Sequence, residues 1–243
     1  MDLPSIFSSD VADQVLLELL RHGFQWRTIM ATEAVSLRRK AVSYPTSDGK
    51  PMAETDWHRI LMIDLIQTLE GWYDKDPKVY VSGNLLMFDV EGDRRRHLSP
   101  DVFVVKGVPK RKRLHYLVWE EKKEPDLVIE LTSKSTRNED LKKKFRLYQD
   151  VLKVSEYFLF DPLGDYLKPP LQGDRLQDGK YEPIRSVKNR LPSQTLRLQL
   201  ERDGENLRLY DPKSGQWLPT PTEERGKLRE EVEELRRKVT EKH

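Results

Sequence analysis

Apolar residues recur three and four positions apart over 60–69. Ile60, Leu61, Ile63, Leu65, Ile66 and Leu69 there predict an amphipathic helix that begins near Glu54 or Thr55. Such a helix needs a surface to lie on, and the following runs supply one. Val79 to Val90, Asp101 to Val105 and Asp126 to Leu131 are rich in β-branched and aromatic residues, and Glu156-Tyr-Phe-Leu-Phe-Asp161-Pro162 reads as a buried strand ended by proline. A charged, hairpin-like segment (91–98) and a longer basic loop (106–124) join the first three. A helix from about Asn138 to Leu152 separates the third from the fourth, and a helix crossing between two strands implies a parallel pair with right-handed connection. The order predicts a mixed α/β (α+β) fold, a central sheet flanked by helices.

The flanks are simpler. Val11, Val15, Leu16, Leu19 and Leu20 mark a helix within Asp10 to His22, in an N-terminal extension covering 1–43. Beyond Leu163, alternating runs at Leu196–Leu200 and Leu207–Tyr210 around Asp203-Gly204 predict β-hairpins added to the main domain, 44–219. In the last segment, 220–243, Leu228, Val232, Leu235 and Val239 alternate four and three apart amid Glu and Arg, a short coiled-coil-like helix. So few heptads are weak alone, so the helix either self-associates into the homodimer expected here or frays.

Composition narrows the chemistry. At 243 residues, one core with appendages is expected. No apolar run reaches the ~18 residues of a membrane span, and the start lacks a signal-peptide pattern, so a cytoplasmic protein with no membrane partner is expected. Zero cysteines exclude disulfides, thiolate nucleophiles and cysteine zinc sites, and the five histidines have no zinc-ligand spacing. The net charge of +2 hides three basic clusters: Arg94-Arg95-Arg96, Lys110-Arg111-Lys112-Arg113 and Lys142-Lys143-Lys144. Each is either a phosphate-attracting patch for nucleic acid or solvated loop charge.

Two carboxylates stand in awkward places. Asp101 opens an apolar run in Ser99-Pro100-Asp101-Val-Phe-Val-Val, and Glu130 lies inside another, Pro125-Asp126-Leu-Val-Ile-Glu130-Leu. A charge beside a hydrophobic strand is costly unless neutralised, and a divalent cation between two carboxylates does this. Downstream, Asp140, Lys144 and Tyr148 at i, i+4 and i+8 share one helical face and offer an ammonium and a phenol for handling a phosphate.

With Tyr44-Pro-Thr-Ser-Asp-Gly-Lys-Pro-Met-Ala, Lys144-Phe-Arg-Leu-Tyr148 and the Glu156 to Pro162 run, these motifs resemble the Uma-two family of restriction-endonuclease-like proteins over roughly residues 44–218. The resemblance implies a restriction-endonuclease-like PD-(D/E)xK core, with Asp101 and Glu130 as the metal-binding acids and the Leu131 carbonyl as a third oxygen. It implies Mg2+ or Mn2+ as cofactor and DNA as substrate for phosphodiester hydrolysis. The lysine usually two residues after the second acid is replaced by Thr132. Lys134 shares that face if the strand continues, while Lys144 matches a lysine the family places on the next helix and is preferred. Glu54 or Asp64 on the first helix would add a water-mediated acid, and His58 stands where the family often has a histidine. Two alternatives stay open: a catalytically weak nucleic-acid-binding module of this fold, and an interaction protein working through the C-terminal helix.

Overall fold

A computed structural model describes residues 43–47, 55–133, 136 and 139–240. The helix expected at Asp10 to His22, Glu54 and Lys134 lie outside the described residues. Helix α1, Asp56–Trp72, starts at Thr55, whose hydroxyl accepts the His58 N–H at 3.3 Å. It buries Leu61, Met62, Leu65 and Leu69, while Ile60 and Ile63 of the apolar pattern are exposed. Met62 takes their place on the buried face.

The strand expected across Val79 to Val90 is two strands, β1 (Val79–Ser82) and β2 (Met87–Phe88). The chain breaks at Gly83-Asn84, where Asn84 is left-handed (φ 47°). A side chain at Gly83 would meet the Asp101 carbonyl oxygen at 2.0 Å and Ile66 Cδ1 at 2.7 Å, so only glycine lets β1 run this close to Asp101. Next come β3 (His97–Leu98), β4 (Val102–Lys106) and β5 (Tyr116–Leu117), which runs into the short helix α2 (Val118–Glu121). Then follow β6 (Leu127–Leu131), β7 (Glu156–Phe160), β8 (Leu171–Gln177) and β9 (Lys180–Pro183). The chain ends with β10 (Arg190–Ser193), β11 (Leu198–Asp203), β12 (Asn206–Asp211), β13 (Gln216–Trp217) and helix α3 (Pro221–Thr240).

The central sheet has the order β1-β4-β6-β7-β8-β9. Its pair β6–β7 is parallel and the other pairs are antiparallel, giving the expected mixed sheet. Between β6 and β7 runs the expected crossover helix, with wide π-helical turns at Glu139–Lys144 and Leu147–Val151. The β8–β9 hairpin extends this sheet, whereas the hairpins around Asp203-Gly204 do not. β10 to β13 form a sheet of their own, and β2, β3 and β5 a third.

Alternation along the strands sorts two cores. Val102, Val104, Leu127, Ile129 and Leu131 pack with α1 and with the leucines of β10 to β12. Phe103, Val105 and Val128 pack on the other face with Tyr148, Leu152 and Tyr157. Asp101 has the parity of Phe103, and Glu130 that of Val128. The β4–β6 register pairs Val102 with Ile129, so Asp101 and Glu130 are the next residues across the ladder. Both acids thus meet at one end of the sheet, on the crossover-helix face.

Two alanine substitutions should act with opposite sign. Gly83→Ala should destabilise by ~1–3 kcal/mol through overpacking against Asp101. Gly71→Ala, which meets nothing within 4 Å in α1, should stabilise by ~0.5–1 kcal/mol. Thermal unfolding of the two variants checks both signs.

A candidate active site around a buried glutamate

Glu130 is fully buried at the end of β6. Its Oε1 accepts the Tyr148 hydroxyl at 2.7 Å, and its Oε2 accepts Lys144 Nζ at 2.9 Å and the Asp101 N–H at 3.4 Å. The crossover helix supplies both side-chain partners, because Lys144 and Tyr148 lie four residues apart on the face turned to the sheet. Asp101 is tied to β6 in return: its Oδ2 accepts the Leu131 N–H at 2.7 Å and lies 3.0 Å from His58 Nε2. Asp101, His58 and Lys144 each keep 15–18% of their side-chain surface, so the cluster has a solvent-facing mouth over a closed floor.

Asp140, named in the sequence only as a member of the helix face, belongs to the centre. Lys144 Nζ lies 3.1 Å from its Oδ1, Thr132 donates to its Oδ2 at 3.0 Å, and the Tyr157 hydroxyl donates to its main-chain oxygen at 3.2 Å. Thr132 therefore holds the carboxylate that pairs with Lys144. The four-residue spacing of Asp140 and Lys144 was the available signal.

Charge does not balance here. Three carboxylates, Asp101, Glu130 and Asp140, surround one ammonium and an imidazole. Burial pushes Glu130 up to about 8; Lys144 opposes this, but the Asp101 and Asp140 carboxylates reinforce it. Burial acts the same way on Asp101, yet the His58 hydrogen bond, the Lys144 and His58 charges and the Leu131 N–H hold it below its ordinary value. Burial works against the Lys144 ammonium too, and Glu130, Asp140 and Asp101 reverse that and hold it charged. Burial and Glu130 raise Tyr148 well above its usual range, so its hydroxyl stays a donor.

The other sequence candidates are distributed differently. Asp64 lies beside Leu207, Arg208, Leu218 and Thr220, on the α3 side of α1. Of the basic clusters, Arg113 has a nearly buried side chain, bonds Glu121 at 2.8 Å and stacks 4.0 Å from the Tyr80 ring centre. Arg111 also pairs with Glu121, Lys110 donates to the Tyr73 and Asp74 carbonyls, and Arg96 pairs with Asp89 at 2.7 Å. Lys143 pairs with Glu139 at 3.3 Å, an exposed pair worth little. Arg94, Arg95, Lys112, Lys142 and Lys143 are exposed.

The family described as Uma2, putative restriction endonuclease, matches residues 33–239. The chain belongs to the Uma2 family. No curated protein matches its sequence. Among solved structures, a putative nuclease belonging to DUF820 from Anabaena variabilis is similar at a TM-score of 0.43 and 14% identity, over 64% of this chain and 86% of that one. Among the described residues of this Uma2 chain, no group of three or more His, Asp or Glu side chains is arranged as a ready metal cage. The donor set nevertheless suits a hard divalent cation: Asp101 and Glu130 are adjacent oxygen donors in a site with excess negative charge, and magnesium needs only one or two carboxylates because it keeps several waters. No described helix is long and apolar enough to cross a membrane.

A carboxyl whose folded pKa lies above its unfolded value contributes stability that is fully present below the unfolded value and lost as pH rises through the folded one. Glu130 should therefore make the metal-free protein progressively less stable from about pH 4.5 to 8. Asp101, shifted the opposite way, acts only below that window. Denaturant titrations in chelator should show wild type losing stability across the window relative to Glu130→Gln, which mimics the protonated acid. Parallel curves would refute the assignment.

Proposed function

We propose that this Uma2 protein is a metal-dependent DNA endonuclease whose centre is Asp101, Glu130 and Lys144. The observation that carries this reading is the convergence of two strand-end acids and a helix-borne lysine within hydrogen-bond reach, in a pocket with more negative than positive charge. Asp101, Glu130 and the Leu131 carbonyl would hold Mg2+ or Mn2+. When bound, such an ion activates water and neutralises charge on the phosphate.

The chain's own groups do the rest. Lys144 sits at the mouth with its charge secured, suited to pair with a phosphate oxygen or orient the attacking water. Tyr148 and Thr132 act behind it, fixing Glu130 and Asp140. His58 orients Asp101 from the start of α1. Lys134 remains the second lysine candidate and Glu54 an accessory acid. Arg94, Arg95, Arg111, Lys112, Lys142 and Lys143 offer the salt-sensitive attraction for the DNA backbone, whereas Arg113 is packed into the fold and Arg96 and Lys110, though exposed, are engaged by Asp89 and by main-chain carbonyls. Cutting both strands at once requires two such centres, hence two copies of the chain.

A second reading rests on one observation. Lys144 is clamped between Glu130 and Asp140, and Thr132 replaces the motif lysine, an arrangement that also suits a binding module with weak or no catalysis.

Supercoiled plasmid should be nicked in Mg2+ or Mn2+ and left intact in chelator. Asp101→Ala and Glu130→Ala should each lower the rate about 100-fold or more, and Lys144→Ala should do so without weakening metal binding. DNA binding that falls steeply with salt, with no cleavage in any divalent metal, would instead establish the binding module.

A further inference from the structure

We propose that α3 joins the chain to a second copy of itself as a parallel two-stranded coiled coil. The helix is built to leave the core. Thr220 Oγ1 accepts the Glu223 N–H at 3.3 Å and Glu223 Oε2 accepts the Thr220 N–H at 2.8 Å, a reciprocal capping box, with Pro221 at the first helical position. No residue of α3 is buried. Leu228, Val232, Leu235 and Val239 form a stripe that is 40–61% exposed.

The stripe is a seam of defined type. Spacings of four, three and four place Leu228 and Leu235 at the d positions and Val232 and Val239 at the a positions of a heptad. β-Branched residues at a with leucine at d are the combination that favours two parallel strands. The flanking charges choose the partner. Glu224, Glu231 and Lys238 fall at g, and Arg229 and Arg236 fall at e, one residue after each leucine.

In a parallel pair of identical helices each g faces the partner's e five residues further on. Glu224 then meets Arg229 of the partner subunit, and Glu231 meets Arg236 of the partner subunit. An antiparallel pair would set Arg229 against Arg236 of the partner subunit and give up both glutamate–arginine pairs, keeping only Glu231 against Lys238 of the partner subunit. The same seam thus favours its own copy in the parallel direction over the antiparallel one. Within α3, Lys238 is already paired with Glu234 at 2.6 Å, and Arg225 folds back onto the Pro221 carbonyl at 3.1 Å and the Thr222 hydroxyl at 3.2 Å.

The inference stands apart from the nuclease reading, since its test uses neither metal nor DNA. Sedimentation of the full chain over a concentration series should show a monomer–dimer equilibrium. Val232→Glu with Leu235→Glu should raise the midpoint of association at least about tenfold, as should Glu231→Arg alone, and Glu231→Arg with Arg236→Glu should restore it. Because the chain has no cysteine, Val239→Cys introduces a single thiol, which should give a disulfide-linked dimer on oxidation. A monomer at every concentration, a dimer indifferent to the seam variants, or a dimer in which Val239→Cys fails to cross-link would each overturn the proposal.

Discussion

A carboxylate with no access to water, Glu130, is the constraint around which the centre of this protein is arranged. An ion in the interior is tolerated only when its oxygens are fully engaged and an opposite charge is close. Both oxygens of Glu130 are engaged, one by a phenol and the other by an ammonium and a main-chain N–H. Those partners fix where the crossover helix sits on the sheet and how closely the start of β4 approaches the end of β6. The arrangement remains short of positive charge, since the one ammonium is shared with Asp140 and faces Asp101 as well. A structure optimised only for stability would place leucine there.

Packing and chemistry are coupled through the same backbone. Asp101 is set by the Leu131 N–H from one side and by the bare Cα of Gly83 from the other. The crossover helix carries the cation on one turn and buries Tyr148 and Leu152 on the next, so a shift in the core against β6 moves Lys144 with it. This explains why residues such as Thr132 and Tyr157, which do not face the mouth, still bond to the acid that steadies the lysine.

Much of this was legible in the chain because period-two alternation is a local property. The placement of Asp101 beside Phe103 and of Glu130 beside Val128 was readable without knowing the partner strands, and the helix between β6 and β7 announced the parallel pair. Other features depend on contacts that spacing does not encode. The break at Gly83 exists because Asp101 lies behind it, and the apolar run from Val79 to Val90 gives no sign of that. Ile60 and Ile63 fit a helical stripe, but the face that packs on the sheet is the one carrying Leu61, Met62 and Leu65. Arg113 reads as one more solvated charge, yet it is spent on Tyr80 and Glu121. Asp140 looked like an ordinary residue of a helix face, and only the widened first turn with Thr132 opposite makes it part of the centre.

The anchoring of α3 sets a mechanical scale. Glu223 serves both the cap at Thr220 and the guanidinium of Arg208 on β12, at 2.9 and 3.0 Å, so the helix is pinned to the second sheet at its base. Its 20 residues make a rod about 30 Å long. With such a lever, about 10° of play at the base sweeps the tip through about 5 Å, comparable to one helical turn. The Arg208–Glu223 pair is therefore a hinge pin as much as an ion pair: its stiffness sets how widely anything gripped by the far end of α3 can swing about the body of the protein.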